Sequence, residues 1–148
     1  MPATKTPTLW TQLAEAQVRV GAIARSAKNP QTRSTYIPLG ALRARVVPVL
    51  HELGLCLVHD CGVRDGFLLV GTHIVHSATG ERASFVLPVQ PQRPGAKREE
   101  IEAGATHYTS HAARSAVTYA SRCGIESLLA ITDVEDDDGN AASAREPP

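Results

Sequence analysis

The chain has 148 residues, the length of a single domain, and its 43% hydrophobic residues can supply a core. It has no apolar run near the ~20 residues of a membrane span and no apolar leader, and three cysteines argue against a disulfide framework. The formal net charge is zero. We therefore expect a soluble cytosolic protein with no membrane partner.

The net charge is an average over two unlike parts of the chain. Residues 133–148 contain six acids and one base, which leaves 14 of the 15 bases and nine of the 15 acids in residues 1–132, a net charge of +5. A mildly basic body with an acidic tail is compatible with a phosphate-binding surface. The composition predicts a flexible lead-in at residues 1–8, one domain at 9–132, and an acidic disordered tail at 133–148.

Two helices are predicted in the first third of the chain. Apolar residues recur at spacings of three and four from Leu9 to Ile23, which predicts a helix that ends near Ser26, before Pro30. A loop is expected at residues 31–38. A second apolar stripe over residues 42–53 predicts a helix that Gly54 stops and that Pro48 kinks or weakens.

The pattern then changes to that of strands. Residues 55–59, 67–76 and 82–89 favour strands, with turns at 60–66 and 77–81. A loop is expected at 90–104, and a helix rich in small residues at about 106–123, ended or kinked by Gly124. Strands grouped together and flanked by helices predict an α+β fold, a three-stranded antiparallel β-meander packed with helices.

Five segments of the chain contain distinctive residue patterns. They are Asn29-Pro30 with Tyr36, Leu50-x-x-Leu53-Gly54-Leu55, Thr72 to Glu81 with its Thr79-Gly80-Glu81 turn, residues 116–122, and the acid run at 136–138 closed by Gly139. The most specific is the Ala-Val-Thr-Tyr-Ala-Ser-Arg helix over residues 116–122. In this order the segments resemble the Erf (essential recombination function) family of phage-type single-strand annealing proteins, over residues ~9–139 with the usual boundary error of a few residues.

The resemblance implies a β-β-β-α core and a non-enzymatic, ATP-independent function without a cofactor: binding single-stranded DNA and annealing complementary strands in homologous recombination. It also implies a homo-oligomer, a ring or filament, and a phage exonuclease or host single-strand-binding protein as partner. The chain departs from the family at Arg114, where a glycine is usual, and at Cys123, where a tyrosine is usual. The second departure removes a stacking aromatic.

Annealing requires cations that follow a phosphate backbone and side chains that support bases. Arg114 and Arg122 are eight residues apart, so on a helix they only roughly share a face. For Tyr119, a core or hydroxyl-bonded role is favoured over base stacking. The candidate DNA-binding residues are Lys28, Arg33, Tyr36, Arg43, Arg45, Arg82, Arg114, Tyr119 and Arg122.

Other classes of function remain open on the sequence alone. A zinc site would use residues with ligand-like spacing, although Cys56 and Cys61 are expected to be small buried hydrophobes. A nuclease would need acidic residues in the turns, and an adaptor would bind protein alone. The acid run 136–138 predicts a solvated tail, a cation site, or a competitor of DNA. The residues concerned are His51, Cys56, His59, Cys61, His73, His76, His107 and His111 for zinc, and Asp60, Asp65 and Glu81 for a nuclease.

Overall fold

The computed structural model describes residues 6–90 and 109–134, and their architecture is the predicted α+β arrangement. Three helices pack with a three-stranded meander, and four two-residue strands pair beside them. The helices are α1 (Leu9–Val20), α2 (Leu39–Glu52) and α3 (Ser110–Leu128); the meander strands are β4 (Leu55–Arg64), β5 (Phe67–His76) and β6 (Arg82–Val89); the short strands are β1 (Ile23–Ala24), β2 (Ala27–Lys28), β3 (Thr35–Tyr36) and β7 (Asp133–Val134).

The sheet has the strand order β4-β5-β6, and both pairs are antiparallel. β5 has the predicted bounds, but β4 continues to Arg64, because only Asp65 and Gly66 form the turn. Both turn residues have positive φ, 51° and 78°, as a tight two-residue hairpin requires. Successive side chains alternate between the faces. The face that contains Leu68 and Ile74 lies against the helices, and the other is the outer face.

One core joins all three helices to the meander. α3 contacts β5 and β6, α2 contacts β4 and α3, and α1 contacts α2. Many of the fully buried side chains belong to the apolar stripes of α1 and α2 that the spacing of three and four predicts, and others come from the sheet, the segment before α2 and the end of α3. They include Leu9, Val20, Ile37, Leu42, Val46, Leu50, Ile74, Ile125 and Leu129. The packing of α3 against the central strand β5 positions that helix on the sheet.

The prediction that Gly124 ends or kinks the last helix is wrong, since α3 continues to Leu128. Gly124 is buried where α3 approaches β5 most closely. A Cβ added there would lie 2.5 Å from the Cβ of Thr72, and closer still to the Thr72 hydroxyl. The glycine is therefore needed for helix–sheet contact rather than for a helix end.

Short strands correct the predicted end of the first helix, the predicted loop after it and the predicted start of the tail. α1 ends at Val20, not near Ser26, because Gly21 adopts a φ of 63° and Ile23 enters β1. β1 pairs in parallel with β7, so the first two residues of the predicted tail form a strand. The predicted loop at 31–38 contains β3, which forms a hairpin with β2. α2 continues through Pro48.

The prediction that Cys56 and Cys61 are buried is also wrong, as both are exposed. β4 is an edge strand of the meander, so its side chains have a neighbouring strand on one side only. Cys56 pairs with Val75 on the outer face, and Cys61 lies on the half of β4 beyond Asp60, where every residue is exposed. Neither position receives the cover that a strand in the middle of a sheet would give it.

Candidate nucleic-acid interface

A groove of about 510 Å³ lies between the β2–β3 hairpin and α3, and we call it the hairpin–helix groove. It joins two segments that are far apart in the sequence. One wall comes from the hairpin and the other from the first three turns of α3. The groove is lined by Asn29, Pro30, Tyr36, His111, Arg114, Ser115, Thr118, Tyr119 and Arg122.

The hairpin wall is held by hydrogen bonds around Asn29. The Asn29 backbone N–H donates to the Ser34 carbonyl, and the Arg33 N–H donates to the Asn29 carbonyl, both at 2.8 Å. The Asn29 side-chain oxygen accepts from the Gln31 N–H at 2.9 Å, the local bond that lets asparagine form turns. Arg33 takes the left-handed conformation, with φ 57°. This closed turn holds Tyr36, three residues before α2 begins at Leu39, on the groove side of the hairpin.

The helix wall follows from the spacing of its residues. His111, Ser115, Thr118 and Arg122 recur at intervals of four, three and four, which places them on one stripe of α3. Small and apolar residues on the opposite stripe pack against the sheet. Arg114 lies beside the groove stripe, and its long side chain allows it to line the same groove as Arg122. The two arginines, which the sequence placed only roughly on one face, thus meet in one groove.

Arg122 lies against two aromatic rings. Its guanidinium carbon is 4.5 Å from the centroid of the Tyr36 ring and 5.4 Å from that of the Tyr119 ring. Each such cation–π contact stabilises an exposed pair by about 0.5–1 kcal/mol. A guanidinium whose face lies on a ring presents its N–H donors at its edge, where they match the oxygens of a phosphate. The two contacts orient a cation for anion binding at a surface that also offers rings for stacking.

Tyr119 is 51% exposed, so the prediction of a core position is wrong. A hydrogen bond with the Cys123 side chain is the main cause that raises the pKa of Tyr119 above its ordinary value of 10.0. The phenol is therefore neutral at pH 7, which keeps a negative charge away from Arg122. The predicted hydroxyl-bonded role is compatible with the exposed ring, because the bond leaves that ring at the surface.

The other candidate cations lie outside the lining of this groove. Lys28 and Arg33 are exposed on the same hairpin, and Arg82 is exposed at the start of β6, on the outer face of the sheet. Arg45 donates hydrogen bonds from its Nε and Nη2 to the Val20 carbonyl at 3.2 Å, so it caps the end of α1. Arg43 lines a second groove, of about 570 Å³, between α2 and β4.

His59 lines that second groove. Its Nδ1 lies 3.0 Å from the Thr72 hydroxyl, and its buried Nε2 has no hydrogen-bond partner in the described part of the chain. Burial, and then the nearby charge of Arg43, lower the pKa of His59 from its ordinary value of 6.5. The histidine is therefore neutral at pH 7 and adds no cation to this groove.

The zinc alternative gains no support from the geometry. His73 and His76 point to opposite faces of β5; Nδ1 of His73 bonds the Ser84 hydroxyl at 2.8 Å, and Nδ1 of His76 bonds the Thr79 hydroxyl at 2.9 Å. Within residues 6–90 and 109–134, no group of three His, Cys, Asp or Glu side chains is arranged to hold a metal ion. His107 lies outside the described residues, as does the acid run 136–138.

The nuclease alternative requires carboxylates that converge on one point. Asp65 lies at the β4–β5 turn and Glu81 at the β5–β6 turn, so the ten-residue strand β5 separates them by roughly 30 Å. Asp60 is midway along β4, where its carboxylate bonds Nε2 of His73 at 3.0 Å. These three residues do not form a shared site.

A profile of the ERF superfamily matches residues 9–147. The chain belongs to the ERF superfamily. The match confirms the resemblance and covers both walls of the hairpin–helix groove, so the groove is part of the ERF region itself. No curated protein and no solved structure gives a significant match to the chain. None of the described helices is long and apolar enough to cross a membrane.

The groove of this ERF chain also contains five residues that are not among the predicted DNA contacts, namely Asn29, Pro30, His111, Ser115 and Thr118. The sequence does indicate the three on α3, because His111, Ser115 and Thr118 recur at intervals of four and three that continue to Arg122. That signal became specific only when the structure showed which stripe of α3 faces the sheet. Asn29 was noted as part of a family segment, but its role in the turn depends on the hairpin.

Proposed function

We propose that this protein binds single-stranded DNA in the hairpin–helix groove and anneals complementary strands without ATP during homologous recombination. The observation that carries the proposal is the position of the Arg122 guanidinium over the rings of Tyr36 and Tyr119, beside Arg114, in a chain of the ERF superfamily. Annealing makes and breaks no covalent bond. It requires a strand held by its phosphates while its bases stay free to pair.

The residues of the groove suit those two requirements. Arg114 and Arg122 supply positive charge for phosphates, and charged hydrogen bonds to phosphate oxygens are among the stronger polar contacts in proteins. Tyr36 and Tyr119 supply rings, and stacking on a ring tolerates any base because every base has a π-face. Since Cys123 lacks the ring that is usual at that position of the family, the stacking in this groove would depend on these two tyrosines.

A single groove with two arginines would hold a strand weakly, since affinity for nucleic acid rises with the number of phosphates neutralised. We therefore propose that several copies act side by side on one strand, as a ring or filament, so that their grooves add. A phage exonuclease or host single-strand-binding protein in the cytosol would supply or hold the strand. The candidate cations outside the groove, such as Lys28 and Arg33 on the hairpin, would extend the path of the strand.

Fluorescence anisotropy of a labelled single-stranded oligonucleotide, titrated across a salt series with duplex as a control, tests the proposal. Arg122→Gln removes the stacked cation, and Arg64→Gln is the matched control, because Arg64 is exposed on the outer face of the sheet. Both substitutions remove one positive charge, so a general electrostatic effect would be the same for the two.

The wild type is expected to bind the single strand better than the duplex, with affinity that falls as salt rises. Arg122→Gln is expected to weaken binding about tenfold, and to reduce the slope of log K against log salt by about 0.7, the value for one lost phosphate contact on a single strand. Arg64→Gln is expected to stay within about twofold of the wild type. No binding by the wild type at low salt, or equal losses in both variants, would contradict the proposal.

A further inference from the structure

The described chain ends beside the segment that leads into the hairpin. β7 is parallel to β1, with Val134 opposite Ala24. Ala24 is three residues before β2 begins, so Val134 lies beside a residue that is close to the hairpin in the sequence. The hairpin strand β2 begins at Ala27, and Asn29 and Pro30 of the groove follow it directly.

The four residues that follow Val134 are Glu135, Asp136, Asp137 and Asp138. They carry four negative charges and reach about 13 Å when extended, at roughly 3.3 Å a residue. From Ala24, the five residues to Asn29 span at most about 17 Å on the same scale. The acid run together with the glycine and asparagine after it reaches about 20 Å, so this segment is long enough to span that path.

The charges of the two segments are complementary. Arg114 and Arg122 line the groove, Lys28 and Arg33 lie on its hairpin, and His111 lies at its other end. A guanidinium that binds a phosphate also binds a carboxylate, with the same forked pair of hydrogen bonds. Arg122 is already oriented by its two rings, so a carboxylate there would meet a cation that needs little rearrangement.

We propose that residues 135–138 bind in the hairpin–helix groove of their own chain and compete there with single-stranded DNA. The second half of this inference rests on the proposed function, and the first half does not. A tethered segment has an effective concentration in the millimolar range near its site. If the free segment binds with a dissociation constant of about 0.1–1 mM, it lowers the apparent affinity for DNA about twofold to tenfold.

Two full-length variants with equal changes in net charge test the inference. In the tail variant, three acids of the run become amides; in the control variant, three exposed acids of the body do so. The tail variant is Asp136→Asn, Asp137→Asn, Asp138→Asn, and the control is Glu15→Gln, Asp65→Asn, Glu81→Gln. Backbone amide NMR signals of Tyr36, Thr118 and Tyr119 are compared without DNA, and single-strand affinity is measured by anisotropy at about 0.05 M and 0.5 M salt.

The tail variant alone is expected to shift the groove signals without DNA. It is also expected to bind the single strand about twofold to tenfold more tightly at low salt, with the difference lost at high salt, where charges are screened beyond a few ångströms. Groove signals identical in wild type and tail variant, or equal gains in affinity for both variants, would overturn the inference. Shifted groove signals in a protein that binds no DNA would support the docking and refute the proposed function.

Discussion

The contact between Gly124 and Thr72 predicts the effect of a single methyl group on stability. Alanine normally stabilises a helix by about 1 kcal/mol relative to glycine. At Gly124 the added Cβ would lie 2.5 Å from the Thr72 Cβ, about 1 Å short of ordinary contact. Thr72 is fully buried, so it cannot move aside into solvent. Gly124→Ala is therefore expected to push α3 away from β5.

The expected loss is worked from two opposing effects. Overpacking of a core costs about 1–3 kcal/mol, and the short distance places this site at the upper end of that range. After the gain in helix propensity, Gly124→Ala should lower the free energy of unfolding by about 2 kcal/mol. For a chain of this size, that corresponds to a fall of about 4–8 °C in Tm.

Gly40 is the matched control, because it is also a helical glycine but has nothing within 4 Å of an added Cβ. Gly40→Ala should leave stability unchanged or raise it by up to about 1 kcal/mol. The assay is urea and thermal unfolding followed by circular dichroism, with Gly124→Ala also measured in a Thr72→Gly background, which removes the opposing Cβ, so the loss should shrink. A Gly124→Ala protein as stable as the wild type would refute the close approach of α3 to β5.

Substitutions at three further positions have specific expected results. Arg45→Ala should lower the free energy of unfolding in urea by about 1 kcal/mol, because it removes the hydrogen bonds that cap the Val20 carbonyl. The affinity for single-stranded DNA should stay within about twofold of the wild type, and a large loss of affinity would contradict this. Because the pKa of His59 is lowered from 6.5 in the fold, the stability that its neutral form contributes is complete above pH 6.5 and is lost as the pH falls below that value. His59→Gln should therefore show a shallower fall in stability between pH 7 and 5, and an unchanged slope would exclude His59 as its source. Tyr36→Phe should keep the ring under Arg122 and retain single-strand affinity, whereas Tyr36→Ala should weaken it about tenfold in anisotropy; equal losses would indicate that the hydroxyl, not the ring, is used.

Local patterns predicted the elements whose signals are complete within a short window. The β5 strand was predicted with its observed bounds because a glycine-containing turn marks each end of it. The core stripes of α1 and α2 follow from the spacing of their apolar residues. The meander order followed from the short turns, which allow only neighbouring strands to pair.

The incorrect predictions concern residues whose roles depend on a partner that is far away in the sequence. The sequence predicts a helix end or kink at Gly124, but a glycine is needed there because the Thr72 side chain of β5 leaves no room for a Cβ. β1 and β7 are two residues each and pair across the length of the chain, so neither has a local pattern. The hydrogen bond from Arg45 to the end of α1 likewise depends on a distant partner, and nothing in the sequence indicates it.

The candidate site also combines features that the sequence predicts locally with features that depend on distant contacts. The sequence selected Tyr36, Arg114, Tyr119 and Arg122 individually, and an ERF profile covers the whole region. That Arg122 lies on both tyrosine rings depends on how the hairpin packs against α3, which no spacing in the sequence specifies. The specific part of the functional proposal, one groove rather than scattered cations, therefore comes from the structure.

The most direct test of the central claim is an annealing assay with two complementary oligonucleotides, one carrying a fluorophore and the other a quencher, without nucleotide. Wild-type protein and Arg64→Gln are expected to accelerate quenching above the spontaneous rate, and Arg122→Gln is expected to lose most of that acceleration. A wild-type protein that binds the single strand but leaves the annealing rate unchanged, or an Arg122→Gln protein that anneals as fast as the wild type, would contradict the account.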